Sequence, residues 1–133
     1  MARDMAEESF VLAINENQTL PIKNINSKKI ALVGWLADSE ADHCGSYYNG
    51  GANVVTVKKA MESAGLQMSY STGATPDNTS TAMISDAVAA AQKADVVIAV
   101  LGDSQQTCGE MVSGAQSAGA VYIYCQRVSL YGC

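Results

Sequence analysis

Two apolar stretches decide the fold: Lys29–Trp35, which reads KIALVGW, and Asp95–Leu101, which reads DVVIAVL. Both are short, almost wholly apolar and bounded by polar or turn-forming residues. Runs of this kind are typical of strands in parallel sheets, because helices cover both faces of such sheets and leave little of the strand in water. We therefore predict that these two stretches are buried strands.

The segments around the two strands alternate between helical and extended patterns. Apolar residues at three- and four-residue steps predict helices over residues 3–14 and 54–64. An Ala-rich stretch after a possible cap at Thr79 or Ser80 predicts a third helix, which runs to about Lys93. Gly65 stands where the residue after a helix belongs, and Leu66–Tyr70 alternates as a further strand does. Residues 15–28 read as an extended connector and 36–53 as a loop. This order predicts an α/β fold with a mostly parallel sheet flanked by helices.

The last 21 residues differ in composition from the rest. Ser113–Gly119 is small and flexible in character, whereas Ala120–Tyr131 is rich in residues that favour strands. We predict an extra C-terminal strand, at a sheet edge or shared with another chain. The chain is then one α/β domain over 1–133, with a helix and connector (1–28), a βαβαβ core (29–112) and a tail (113–133).

The composition excludes several classes of protein. The 133 residues are 48% hydrophobic and 16% charged, enough apolar material for a core, and the net charge is −5. An acidic chain without clustered Lys and Arg is not expected to bind nucleic acid. No apolar run reaches the roughly 18 residues of a membrane span, and no signal peptide is apparent. We therefore predict a cytoplasmic location. If the chain is a fragment of a secreted enzyme, its location is unknown.

The cysteines and the single histidine do not form a metal-binding pattern. Zinc sites usually show closely spaced Cys or His pairs, and no such spacing occurs here. We predict that Cys44, Cys108, Cys125 and Cys133 are free thiols, and that neither they nor His43 bind a metal ion. No cofactor is predicted.

A set of short motifs occurs in a fixed order along residues 3–110. They are AEESFVL (Ala6–Leu12) followed by NENQTLPI (Asn15–Ile22), KIALVG (Lys29–Gly34) followed by Ala37-Asp38, VVTV (Val54–Val57), DNTS (Asp77–Ser80) before AVAAA (Ala87–Ala91), and ADVVIAVLGDS (Ala94–Ser104) followed by Gly109-Glu110. In this order they resemble the C-terminal α/β domain of glycoside hydrolase family 3, the β-glucosidase and β-xylosidase family. Each motif alone is weak, since apolar strands and Ala-rich helices recur in many α/β folds.

The chain departs from the family pattern at two places. Gly45-Ser46-Tyr47 stands where the family usually has Gly-x-Trp, so the aromatic residue differs. After Glu110 the family continues with a small residue, Ser and Arg, whereas this chain has Met111–Gly114. We interpret the chain as a truncation, a frameshift product or a diverged short form.

The resemblance implies hydrolysis of β-linked glucosides by two carboxyl groups. The family's nucleophile Asp lies in an N-terminal barrel, in a Ser-Asp-Trp-like motif that this sequence lacks. Glu110 is the best match to the general acid/base, and Asp103 is the next candidate. The alternatives are an ordinary solvated carboxylate for Glu110 and a surface turn residue for Asp103.

The loop after the first strand supplies further candidates. Asp38, His43 and Tyr47 are predicted to bind substrate, because a carboxylate beside an imidazole suits acid–base work and an aromatic ring can stack on a sugar. The alternative for Asp38 and His43 is an ordinary surface position without a function. The alternative for Tyr47 is packing of the loop against the sheet.

Three functions therefore stay open: a family 3 glycosidase fragment, a non-catalytic carbohydrate-binding module, and an α/β module that forms homo-oligomers through its tail or an open sheet edge. A dinucleotide-binding protein is disfavoured, since no GxGxxG follows the first strand.

Overall fold

The structure, a computed structural model, describes residues 2–44, 54–75, 81–102 and 121–127, with the backbone alone at 2, 43, 44 and 121–127. In chain order the described helices and strands are α1 (Ala2–Glu8), β1 (Ile30–Val33), α2 (Glu40–Cys44), α3 (Val57–Ser63), β2 (Met68–Ser71), α4 (Thr81–Gln92), β3 (Val96–Gly102) and β4 (Val121–Arg127).

The four strands form one sheet in the order β2-β1-β3-β4. β1 is parallel to both neighbours, so that Ile30 lies beside Met68 on one side and Val96 on the other. β4 runs antiparallel along β3 and forms one edge of this sheet. The predicted α/β class, the mostly parallel sheet and the C-terminal edge strand are confirmed, and β4 lies within the predicted range 120–131.

The core lies on β1 and β3. Ile30, Ala31 and Leu32 are consecutive and all buried, as expected for a strand covered on both faces. β3 instead alternates: Val96, Ile98 and Val100 are buried, and its last two residues are exposed. Burial by the described residues therefore explains only part of the apolar character of β3. Ile30, Leu32 and the three buried β3 residues pack with Leu36 and Ala37, which follow β1.

The N-terminal helix is shorter than its apolar pattern predicts. α1 ends at Glu8, and the apolar residues beyond it are largely exposed, with Phe10 at 77% and Val11 at 87%. A short helix is marginal in water unless its apolar face packs on something, which explains why the pattern alone does not continue the helix to residue 14.

The connector is extended only in part, because it contains 3₁₀ turns at Glu16–Gln18 and Ile25–Ser27. The Asn15 side chain spans the first turn: its amide nitrogen donates to the Leu20 carbonyl at 3.0 Å, and its oxygen accepts from the Leu20 N–H at 2.9 Å.

The predicted loop over 36–53 is partly helical in its described portion, and here the prediction is corrected. A 3₁₀ turn covers Trp35–Asp38, and α2 follows it. Ser39 donates a side-chain hydrogen bond to Asp42, and acidic residues occupy the first turn of α2, where they favour a helix N-terminus.

The remaining elements agree with prediction to within a few residues. α3 begins at Val57, because the Thr56 side chain accepts a hydrogen bond from the Lys59 N–H and caps the helix. Gly65 adopts a left-handed φ of +73° directly after the α3 C-cap, as predicted. α4 packs against β2 and β1, with Ala87 buried.

Candidate functional site at the carboxyl edge of the sheet

The carboxyl ends of the three parallel strands meet at one edge of the sheet. Val33, at the end of β1, lies beside Ser71 of β2 and Ala99 of β3. In open α/β sheets ligands bind beyond this edge, where the loops leave the strands. The Trp35–Asp38 turn and α2 continue from β1 at this edge, and they carry the described side chains of the candidate site.

Asp38 is held at the edge by two side chains from the start of α3. The Thr56 hydroxyl donates to Oδ1 of Asp38 at 3.0 Å, and the Lys58 ammonium donates to Oδ2 at 2.7 Å. Thr56 is completely buried, whereas the Asp38 and Lys58 side chains are 29% and 27% exposed. The carboxylate therefore has a different protein donor on each oxygen.

These contacts change the acidity of Asp38. The hydrogen bond from Lys58 holds the pKa of the Asp38 carboxyl below its usual value; partial burial opposes this effect, and the Thr56 hydroxyl and the nearby ammonium charges support it. The same hydrogen bond raises the pKa of Lys58. An ionised carboxylate beside a charged ammonium is thus the stable state of this pair near neutral pH.

Lys58 also connects the pair to β2. Its ammonium lies 5.1 Å from the centre of the Tyr70 ring, within the range of a cation–π contact. Burial raises the pKa of the Tyr70 phenol, the Asp38 charge adds to the rise, and Lys58 opposes it. Thr56, Asp38, Lys58 and Tyr70 form one cluster, which we call the edge cluster, and it joins the turn after β1 to α3 and β2.

A second ion pair lies beside the edge cluster and is more open to solvent. Lys59 contacts Glu40 of α2, with side chains 49% and 57% exposed. Exposed pairs of this kind contribute little to stability, because water and salt screen them.

The sequence-predicted site residues are described to different extents. Asp38 lies at the carboxyl edge, as expected for a residue in a loop after a parallel strand. His43 lies in α2, five residues after Asp38 in the sequence. The structure describes the backbone of His43 and not its side chain. Tyr47, Asp103 and Glu110 also lie outside the described residues. Their roles stay predictions.

Three members of the edge cluster were not singled out from sequence: Thr56, Lys58 and Tyr70. A Thr before an apolar helix pattern is a recognisable cap signal, so Thr56 was accessible to sequence reasoning. The partnership with Asp38 was not, because it spans 18 and 20 residues along the chain and depends on how the strands are ordered.

An open cleft lies elsewhere on the described part of the chain. It has a volume of about 590 Å³ and sits by the amino ends of β1 and β2, lined among others by Lys28, Lys29, Met68, Asp86 and Lys93. This is the edge opposite the strand ends that carry Asp38. Within residues 2–44, 54–75, 81–102 and 121–127, no group of three or more His, Cys, Asp or Glu is arranged to hold a metal ion. The described helices include none that is both long and apolar enough to cross a membrane.

Comparison with known proteins decides the family. Residues 10–120 match the family model described as "Glycosyl hydrolase family 3 C-terminal domain". The chain belongs to glycosyl hydrolase family 3. The matched range begins after α1 and continues past Glu110, so family character extends beyond the last motif found in the sequence. The fold agrees with this assignment, since the described sheet is the mostly parallel α/β sheet expected of that domain.

Relatives of this family 3 chain act on β-linked sugars, according to their names. A periplasmic beta-glucosidase of Salmonella typhimurium is 38% identical over 84% of the chain, and a beta-xylosidase of Formosa agariphila is 30% identical over 82%. A probable exo-1,4-beta-xylosidase of Aspergillus clavatus is 37% identical over 74%. The aligned region spans only 18%, 16% and 12% of these relatives.

Proposed function

We propose that this chain supplies the general acid/base of a β-glucosidase-type glycoside hydrolase, with Glu110 as the acid/base and the nucleophile on a separate barrel. The observation that supports it is the family match over residues 10–120, together with 38% identity to a periplasmic beta-glucosidase. The substrate proposed is a β-linked glucoside. The chain has no Ser-Asp-Trp-like motif that could carry the nucleophile.

The position of Glu110 in the sequence suits this role. Gly102 is the last described residue of β3, and Glu110 follows it eight residues later in the sequence. In a retaining mechanism the acid protonates the leaving oxygen, and its conjugate base then activates water, while a carboxylate about 5–5.5 Å away forms the glycosyl–enzyme bond. A residue on a loop after a parallel strand can reach across to a neighbouring domain that holds the nucleophile.

Asp38, His43 and Tyr47 are proposed to serve the same site from the loop after β1. Tyr47 would stack on a sugar ring in place of the family's Trp, which provides the same kind of flat aromatic face with a hydroxyl at its rim. His43 would approach sugar hydroxyls, and Asp38 would serve the site by holding the turn from which this loop continues.

The test uses a chimera in which residues 10–120 replace the matching segment of the Salmonella beta-glucosidase. Glu110→Gln is compared with the unmutated chimera on two substrates, phenyl β-glucoside and 2,4-dinitrophenyl β-glucoside. The poor phenol leaving group needs protonation and the good one does not. We expect kcat/KM to fall by about 10²–10⁴-fold for the phenyl glucoside and to change little for the dinitrophenyl glucoside.

Asp103→Asn in the same chimera tests the second candidate. If Glu110 is the acid, this variant keeps the kcat/KM of the unmutated chimera on both substrates. Equal kcat/KM for Glu110→Gln and the unmutated chimera on the phenyl glucoside would remove Glu110 from the mechanism. The isolated chain is expected to hydrolyse neither substrate.

A non-catalytic oligomerising module is the second candidate, and one observation favours it. β2 and β4 are the edges of the described sheet, and edge strands present unpaired backbone groups that can pair with another chain. The remaining possibility is a carbohydrate-binding module. Calorimetry with glucose, cellobiose and xylose tests it, because such a module must give measurable heat with at least one sugar.

A further inference from the structure

We propose that Asp38 is a positioning residue: it fixes the start of α3 and the turn before α2 in one arrangement at the carboxyl edge. Its relevance to sugar binding rests on the function proposed above, whereas its positioning role does not. The proposal changes the expected role of Asp38 from a direct substrate ligand to a residue that acts through its neighbours.

The first argument comes from the buried Thr56 hydroxyl. A hydroxyl has one proton to donate, and Thr56 donates it to Asp38 at 3.0 Å. The same oxygen accepts from the Lys59 N–H at 3.2 Å and thereby caps α3. Asp38 therefore fixes the orientation of the hydroxyl that caps the helix. Without this acceptor, a fully buried donor loses its partner.

The second argument comes from Lys58, in the first turn of α3. Its ammonium contacts Asp38 at 2.7 Å and lies over the Tyr70 ring of β2. Through this side chain Asp38 links α3 to β2 as well as to the end of β1. The cluster thus joins three segments that are distant in sequence, at the edge where the family's site is proposed.

The third argument concerns the ability of the Asp38 carboxylate to accept a hydrogen bond from a ligand. Each carboxylate oxygen already accepts a hydrogen bond from the protein, one from a fully buried group. A sugar hydroxyl at Oδ2 would share that oxygen with a charged donor at 2.7 Å. Charge-assisted hydrogen bonds are stronger than neutral ones, so this contact favours the protein partner.

The test is amide hydrogen exchange of the full chain, read by mass spectrometry for peptides covering 35–44, 54–63 and 96–102. Asp38→Asn is nearly isosteric, keeps the acceptor oxygen for Thr56 and weakens the contact with Lys58. We expect exchange at least about tenfold faster in 35–44 and 54–63, with a clearly smaller rise in 96–102 that reflects the loss of global stability alone. Lys59→Met, which removes the exposed pair with Glu40, is the control and is expected to match the wild type.

A second pair of variants tests the hydroxyl. Thr56→Val removes it at nearly constant volume, and Thr56→Ser keeps it. Thr56→Val is expected to loosen the same two peptides as Asp38→Asn, and Thr56→Ser to restore wild-type exchange. If Thr56→Val does not fold, the exchange rates of Thr56→Ser and Asp38→Asn in the two peptides still test the positioning role of Asp38.

Three results would overturn the proposal: wild-type exchange in Asp38→Asn, exchange raised equally in 96–102, or a Thr56→Ser variant as open as Asp38→Asn. Calorimetry of the wild-type chain with glucose separates the two proposals. Absence of heat counts against sugar binding by this chain, while the exchange result continues to decide the role of Asp38.

Discussion

The α-carbon of Gly34 faces the carbonyl oxygen of Val100 so closely that a β-carbon on residue 34 would overlap it. Gly34 has a φ of +114°, and its N–H donates to the Ser71 carbonyl at 3.0 Å. The residue directly after β1 thus touches β2 on one side and β3 on the other. Only a residue without a side chain can bring the three parallel strands together at this point.

We therefore expect Gly34→Ala to destabilise the chain strongly. A φ of +114° is disfavoured for any residue with a β-carbon, and the overlap with the β3 backbone adds to that cost. The free energy of unfolding should fall by about 3 kcal/mol or more, measured by urea denaturation followed by far-ultraviolet circular dichroism.

Gly65→Ala is the matched control for this substitution. Gly65 also has a positive φ, +73°, but no atom of the described residues lies within 4 Å of the position of an added β-carbon. The expected cost is about 1–2 kcal/mol, from backbone conformation alone. Equal costs for the two substitutions would show that the close approach to Val100 has no energetic weight.

A second prediction compares two leucines that differ in burial. Leu32 in β1 is fully buried, whereas Leu12 is 61% exposed. Leu32→Ala should lower the free energy of unfolding by about 2–5 kcal/mol, because it removes apolar contacts and leaves a cavity. Leu12→Ala should change it by less than about 0.5 kcal/mol. A large loss for Leu12→Ala would indicate that the exposed segment after α1 packs on something in solution.

The sheet was largely predictable because local pattern and final environment agree there. Lys29–Trp35 and Asp95–Leu101 are apolar runs of strand length, and they became the adjacent parallel strands β1 and β3. The helix predicted over 3–14 was too long, since its apolar pattern has no covering surface among the described residues. Periodicity predicts which residues share a face, but not whether anything lies against that face.

The candidate site was predictable only at its anchor. Asp38 was identified from a family motif and its place after a strand, and the structure confirms that place at the carboxyl edge. Lys58 and Tyr70 escaped prediction, because a lysine on a helix and a tyrosine at a strand end are common surface residues. Their partnership with Asp38 arises from the parallel pairing of β1 with β2, which no local pattern encodes.

A third prediction concerns acid stability. The pKa of Asp38 is lower in the folded chain than in the unfolded one, chiefly because of the hydrogen bond from Lys58. A lowered pKa means that the carboxylate stabilises the fold above its unfolded pKa of about 3.9, and that this contribution is lost as pH falls through the folded pKa. Asp38→Asn should therefore be less stable than the wild type at pH 7.

The difference should shrink as the pH falls below about 4, measured by urea unfolding between pH 3 and pH 7. Glu40→Gln is the control, since the pair of Glu40 with Lys59 is about half exposed and screened by solvent. It should leave stability within about 0.5 kcal/mol of the wild type across the range. A stability difference for Asp38→Asn that is independent of pH would contradict the proposed cause of the pKa shift.

The last prediction tests whether the tail mediates association. β4 pairs with β3 along its full length, from Val96 with Arg127 to Gly102 with Val121, and it is the strand at that edge of the described sheet. If β4 also pairs with a second copy, the full chain should have a multiple of the single-chain mass by light scattering. Deletion of residues 114–133 should then reduce that mass to a single chain.

Deletion of residues 128–133 alone is the matched control, because it shortens the tail and leaves β4 intact. That variant is expected to keep the mass of the full chain. A mass that is the same for the full chain and for the 114–133 deletion would exclude the tail as the association element. The open edge at β2, whose strand is parallel to β1 and independent of the tail, would then be the remaining place for strand pairing between copies.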